Sequence, residues 1–172
     1  GMAMMDYAKE DVRAHKAYFF FEDGFVCLGA GIESQTEEHV TTSLNQCILN
    51  GKVTILRQGD EMVAVDRGQW EGEDVRGVFH EDVGYYALGS QHLVVRADTQ
   101  SGRWTDLEEA SFHKELLTHD VFSAWIDHGE RVRDGSYAYA VMPGLDRERF
   151  VVLADDFPFQ VLFNTPSTQA VF

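Results

Sequence analysis

Ala17-Tyr18-Phe19-Phe20-Phe21, Glu22-Asp23-Gly24 and Phe25-Val26-Cys27-Leu28 follow one another directly in the sequence. The outer segments are aromatic and apolar. The acidic pair and glycine between them have the chemistry of a tight reversal, with Gly24 free to take positive φ. The stretch predicts a β-hairpin. Leu28 runs on into Gly29-Ala30-Gly31, which opens like a dinucleotide fingerprint but lacks its third glycine and following helix, so a loop or bulge is expected there.

The same grammar repeats along the chain. His39–Ile48 contains Val40-Thr41-Thr42-Ser43, a run suited to a pleated surface, and Asn50-Gly51 separates it from Lys52–Leu56. Asn-Gly between two such runs predicts a second hairpin through a type I′ turn. Further strands are expected at 61–66, 75–80, 83–88, 91–97, 102–106, 110–117 and 119–128. Tyr137-Ala138-Tyr139-Ala140-Val141-Met142 alternates large and small side chains, as on a strand with one packed face, and Pro143-Gly144 closes it. Arg147–Ala154 reads as the single short helix, with strands following at 158–163 and 167–172. Short strands at regular spacing predict an all-β, antiparallel β-sandwich over 16–172. Residues 1–15 are polar and are expected to form a flexible N-terminal arm.

A chain of 172 residues with 44% hydrophobic content buries a core without needing metals or disulfides. The 14 basic and 29 acidic residues leave a formal net charge of −15. A general negative field disfavours nucleic acid, anionic membranes and polyanionic sugars as whole-surface partners, leaving room only for a small basic pocket, and no apolar run reaches the ~18 residues that span a bilayer. Cys27 and Cys47 lie in apolar runs and are expected as packed thiols rather than a disulfide. Gly1–Val12 lacks the apolar centre of a secretory signal. The glycine ahead of Met2 reads as a remnant of tag removal, with Met2 the natural start.

The motifs for chemistry are sparse. No Gly-x-Ser-x-Gly elbow and no Cys-x-x-Cys occur, and none of the 7 histidines has a histidine partner at helical spacing. His80-Glu81-Asp82, His119-Asp120 and Asp127-His128 place histidine beside acid, so His80 and Asp82 are candidate ligands for a zinc or calcium ion assembled across strands. Otherwise no cofactor is implied. Among the aromatics, Trp70, Tyr85 and Trp104 are candidates to stack on sugar rings, whereas Trp125 is expected in the core.

The order of the segments carries more than any single motif. Lys16-Ala17-Tyr18-Phe19-Phe20-Phe21-Glu22-Asp23, followed by Leu28-Gly29-Ala30-Gly31-Ile32, resembles the "K-x-W-F-F-F-D-D … L-G-x-G-I" passage of polysaccharide lyase family 8. Val40-Thr41-Thr42 through Gln46, then Gly84-Tyr85, then Gly102-Arg103-Trp104 are similar to later strands of that family. His128-Gly129, Tyr137-Ala138-Tyr139 and Pro143-Gly144 resemble its "H-G … Y-A-Y … P-G", and Asn164-Thr165 with Gln169-Ala170-Val171 its closing strands. Related heparinase II-type β-domains share the pattern.

The resemblance implies a supersandwich of galactose-mutarotase type. It also implies kinship with hyaluronate, chondroitin AC and xanthan lyases, which perform β-elimination at a uronic acid and are typically secreted or periplasmic. In that family the catalytic groups sit on a preceding helical toroid and an Asn-x-Glu-Asn segment. The present sequence contains no Asn-x-Glu-Asn, so no catalytic residue is carried over. His128, Gly129, Tyr137, Tyr139, Pro143 and Gly144 match framework positions. The expected role is a non-catalytic β-sandwich that contacts acidic polysaccharide or packs on a helical catalytic domain. The alternatives are a stand-alone carbohydrate-binding module and a metal-dependent enzyme using the histidine–acid cluster. Uncovered strand edges also predict self-association.

Overall fold

In a computed structural model, residues 1–108 and 114–172 are described. Antiparallel strands dominate. The large sheet has the order β1-β2-β3-β12-β9-β8-β5-β6 and the small sheet β4-β11-β10-β7, with β13 and β14 forming a separate ribbon. The large sheet contains β1 (Met2–Lys9), β2 (Val12–Phe20), β3 (Phe25–Glu33), β5 (Val53–Arg57), β6 (Met62–Val65), β8 (Val75–His80), β9 (Val83–Ala87) and β12 (Gly135–Pro143). The small sheet contains β4 (Thr41–Ile48), β7 (Gly68–Gly72), β10 (Leu93–Gly102) and β11 (Leu117–Asp127). The single α-helix α1 (Arg147–Asp155) precedes β13 (Val161–Thr165) and β14 (Thr168–Val171). Among the described residues no helix is long and apolar enough to cross a membrane.

Two cores hold these layers together. Val53, Ile55, Val78 and Tyr139 of the large sheet meet Leu93, Val95, Phe122 and Ile126 of the small sheet in one cluster. On the opposite face, Val26, Leu28, Phe79 and Ala140 pack with Phe150 and Leu153 of α1, and with Val161 and Val171 of the ribbon. β12 is therefore packed on both faces, not one. Tyr137, Tyr139 and Val141 point to the first core, while Ala138, Ala140 and Met142 point to the second. The small residues of the alternation lie on the face that receives the helix layer.

The Phe20–Phe25 hairpin pairs as the sequence predicts, Phe20 opposite Phe25 and Ala17 opposite Leu28. Gly24 does not use positive φ. Its need for glycine comes from close approach, since a Cβ there would stand 2.6 Å from Met142 Sδ. Gly31 does adopt φ +60°, and the pairing shifts register around it, which makes Gly29-Ala30-Gly31 a bulged strand.

Three expectations are corrected. Residues 1–15 are not left as an arm: Met2–Lys9 pairs along its whole length with Val12–Phe19, because backbone pairing needs no apolar sequence. Asn50-Gly51 makes a turn, with Gly51 at φ +76°, but no hairpin. β4 pairs with β11 and β5 with β6 and β8, so the turn carries the chain from one sheet to the other. The strand expected at 102–106 is a 3-10 turn at Trp104–Asp106. Of the one expected at 110–117, residues 110–113 lie outside the described residues and strand begins only at Leu117, and β7 has no counterpart among the expected strands.

Helix α1 starts where Asp146 accepts a hydrogen bond from the Arg149 N–H at 2.7 Å, satisfying a terminal donor. Its anchor is Phe150, fully buried, whose ring sits where Gly77 and Gly84 leave room: a Cβ on either would come within 3.0 Å of it. The Tyr86 hydroxyl donates to the Phe150 carbonyl at 2.9 Å. Phe150→Ala is expected to lower stability by about 3–5 kcal/mol, read as a fall in the urea midpoint.

Candidate functional site

The small sheet has one face on the core and one on solvent. Along β11, Phe122, Ala124 and Ile126 point inward, which turns Ser123 and Trp125 outward by the period-two rule. Along β10 the same parity buries Leu93, Val95 and Ala97 and turns Val94, itself buried, and the half-buried Arg96, Asp98 and Gln100 to the other face. Register brings these side chains into rows: Trp125 stands opposite Ser43 and Val94, and Ser123 opposite Gln46 and Arg96. The result is a shallow groove of about 390 Å³ lined by Thr41, Ser43, Gln46, Arg96, Gln100, Ser123 and Trp125.

The groove joins one half-buried indole to hydroxyls, amides and a guanidinium. Its internal bonds are long: Gln46 donates to Gln100 at 3.3 Å and Arg96 to Asp98 at 3.5 Å. These leave donors available to a ligand. Arg67 is the contrast. It holds Asp120 through two bonds of 2.7 and 2.6 Å, and that guanidinium, with the Thr99 hydroxyl, draws the Asp120 carboxyl down to about 2.

The aromatic side chains singled out from sequence do not converge here. Tyr85 is 4% exposed, and its hydroxyl accepts from the Asn45 amide at 2.5 Å. Its ring is therefore core and has no face for a sugar. Trp70 stands opposite Val95 on β7 and packs against the first core. Trp104 is 53% exposed on the 3-10 turn, away from the groove-lining residues. Trp125, expected in the core, is the aromatic of the groove. Its signal lay in the parity of Phe122-Ser123-Ala124-Trp125-Ile126, where serine and tryptophan share one face.

This architecture has a known counterpart. A family model described as polysaccharide lyase family 8, super-sandwich domain, matches residues 1–154. The chain belongs to polysaccharide lyase family 8. It is 35% identical over 170 residues to chondroitinase-AC of Pedobacter heparinus, a match that takes in 98% of this chain and 23% of the relative. A solved chondroitinase AC lyase, studied as enzyme–oligosaccharide complexes, superposes with a TM-score of 0.88 at 32% identity, covering 99% of this chain and 25% of that one. The chondroitin AC lyase of Streptomyces coelicolor, in complex with chondroitin sulphate, gives 0.75 at 26% identity, covering 99% and 21%. The chain thus spans about a quarter of the length of these lyases.

Within this family 8 domain, the histidine–acid pair His80 and Asp82 is pulled apart. His80 is 2% exposed, with its ring stacked 4.5 Å from that of Phe122, while Asp82 sits on an exposed turn. Among the described residues no three histidine, cysteine or acidic side chains converge as metal ligands. His80 does approach Cys47, with Nδ1 3.8 Å from the sulfur. Its Nε2 accepts the Asn50 backbone N–H at 3.3 Å, so the neutral ring carries its proton on Nδ1, facing the thiol. Burial lowers the His80 pKa and raises that of Cys47. The dyad is set against thiolate formation, and both cysteines are free.

Of the residues matching family positions, Tyr137 lies near the start of β12, while Pro143 ends that strand opposite Val83, beside Asp82. His128 shares a hydrogen bond of 2.9 Å between Nε2 and the Thr42 hydroxyl, and burial lowers its pKa. Gly129, at φ +78°, donates its N–H to Asp127 at 2.8 Å. The Tyr137 ring crosses Gly29, where a Cβ would meet its Cδ1 at 2.6 Å. Burial raises the phenol pKa of both Tyr137 and Tyr139. Pro143 ends β12 and Gly144 turns at φ +74°. Tyr137 also helps line an end cleft of about 260 Å³, with Tyr7, Lys16, Thr42 and His39.

His39 closes that cleft by reaching Asp127 at 2.7 Å. The hydrogen bond to Asp127 raises its pKa above the usual value. The charged pair therefore stabilises below the ordinary histidine pKa of ~6.5 and is lost as pH rises through the raised value. An NMR titration of His39 is expected to show its midpoint above ~6.5, falling back towards that value in Asp127→Asn.

Proposed function

We propose that this chain is a non-catalytic β-sandwich of a polysaccharide lyase that holds acidic polysaccharide on the outer face of its small sheet. The observation that carries this reading is the groove around Trp125. A pyranose ring offers an apolar C–H face and a rim of hydroxyls. The indole suits the first, and Ser43, Gln46 and Gln100 suit the second. Arg96 supplies a cation for a uronate or sulfate, and an arginine fork matches such an anion in geometry as well as charge.

The net charge of −15 acts against this ligand at long range. Salt screens that field beyond ~10 Å at 0.1 M, so binding rests on short-range stacking and hydrogen bonds. The relatives support the ligand class, since one was solved with chondroitin sulphate. The elimination itself is assigned to groups outside this chain: the Cys47–His80 dyad is protonated on the wrong side, and the sequence holds no Asn-x-Glu-Asn segment. A second contact, with another unit of a lyase, is favoured by Leu162, Phe163 and Phe172, which are 48%, 57% and 81% exposed around the β13–β14 ribbon.

Chondroitin and hyaluronan oligosaccharides titrated against tryptophan fluorescence test the reading. Saturable binding is expected, weakened roughly tenfold by Trp125→Ala, about 1.4 kcal/mol. Arg96→Gln is expected to weaken uronate-bearing oligosaccharides more than neutral ones. Unchanged affinity in Trp125→Ala would remove the groove from the function. Release of unsaturated uronate by the pure chain, followed by its ultraviolet absorbance, would overturn the non-catalytic assignment.

A further inference from the structure

Arg96 is the one lysine or arginine in the four strands of the small sheet, which carry four acids, Glu71, Asp98, Asp120 and Asp127. Two of those acids are engaged by residues outside these strands, Asp120 by Arg67 and Asp127 by His39. Glu71 and Asp98 have looser partners. His92 stands 3.8 Å from Glu71, and Arg96 itself 3.5 Å from Asp98. Their side chains are 57% and 43% exposed.

Register sets these two carboxylates on either side of Arg96. Arg96 shares its row with Gln69 and Ser123. The row before it holds Glu71, Val94 and Trp125, and the row after it Asp98 and Val121. Both acids share the outward parity of Arg96, since Trp70, Val95 and Ala97 between them point to the core. Successive same-face positions are roughly 7 Å apart along a strand. The groove itself is elongated in that direction, from Thr41 and Ser43 past Arg96 to Gln100.

Given the groove as the glycan site, a reading on which this step depends, we infer that it selects a glycan with one anionic group per disaccharide, a uronate carboxylate on Arg96 between unsulfated sugars, and that Glu71 and Asp98 set this selection. With the carboxylate on Arg96, a chain lying along the strands places its neighbouring sugars on the Glu71 row and the Asp98 row, whichever way it runs. A neutral sugar brings hydroxyl donors there, and a carboxylate accepts them. A sulfate ester brings only acceptors and a second negative charge. No second lysine or arginine on these strands meets it, so it faces a like charge without compensation. Selectivity of this kind comes from repelling the wrong ligand as much as from holding the right one.

Tetrasaccharides of desulfated chondroitin and of the same chondroitin bearing sulfate, titrated against the tryptophan fluorescence of the full chain, test this. At pH 8 ordinary histidines are neutral, which leaves Arg96 as the cation of these strands. The desulfated form is expected to bind about threefold more tightly or better, the scale of a like charge met at about 6 Å in water. Asp98→Asn with Glu71→Gln keeps the side-chain shapes and is expected to bring the ratio to about one, with an unchanged melting temperature showing that the fold is kept. Glu148→Gln, on α1 and away from the groove, removes the same charge from the chain's general field and is expected to leave the ratio in place. Equal affinity for the two tetrasaccharides, a ratio that survives the double substitution, or one that falls as far with Glu148→Gln would overturn the selection, while Trp125→Ala still weakening both ligands would keep the groove as the site. No binding of either, or binding indifferent to Trp125→Ala, removes the groove and the selection together.

Discussion

The constraint on which this fold turns is that its large sheet is packed on both faces. β12 shows it most directly, sending Tyr137, Tyr139 and Val141 into one core and Ala138, Ala140 and Met142 into the other. Two-sided burial sets tight spacing between layers, and glycine sets it where side chains cross backbone. Tyr137 lies over Gly29, Met142 lies against Gly24, and Phe150 occupies the space beside Gly77 and Gly84. With that sheet covered, the broad sheet surface left to solvent is the outer face of the small sheet. Function is accordingly read there.

Electrostatics narrows that surface further. Arg57, Arg67 and Arg76 each hold a carboxylate at 2.5 or 2.6 Å. Such exposed pairs add little stability, but they occupy their guanidinium groups. Arg96 meets Asp98 only at 3.5 Å, so its donors face the groove beside Trp125. A uniformly acidic surface can thus retain one local site for an anionic group, because a short charge-assisted bond acts where the general field is already screened.

Sequence and structure diverge most at the aromatic and histidine positions. Tyr85 and Trp125 both sit on strands in apolar runs, and composition does not say which side of the sheet each takes. Inward parity hides Tyr85 behind the Asn45 amide, while outward parity makes Trp125 the aromatic of the groove. His80 and Asp82 are two residues apart, which on a regular strand would put them on one face. Glu81 takes φ +56° and the chain turns, so the histidine goes into the core and the aspartate to solvent. A candidate site read from spacing fails wherever the backbone bends between its members.

Local sequence was enough for most of the elements and for the family. The aromatic hairpin, the Tyr-Ala-Tyr-Ala strand, the short helix and the ordered family segments all follow from side-chain periodicity and turn chemistry, which act over a few residues. Partner choice does not. Asn50-Gly51 specifies a turn, yet β4 and β5 leave it for different sheets, and the polar opening residues become an edge strand because β2 offers them a backbone ladder. Which strands pair, which parity faces a core, and so where an indole and an arginine meet on one surface, are settled by contacts between residues far apart in the chain. Only the folded chain brings those residues together.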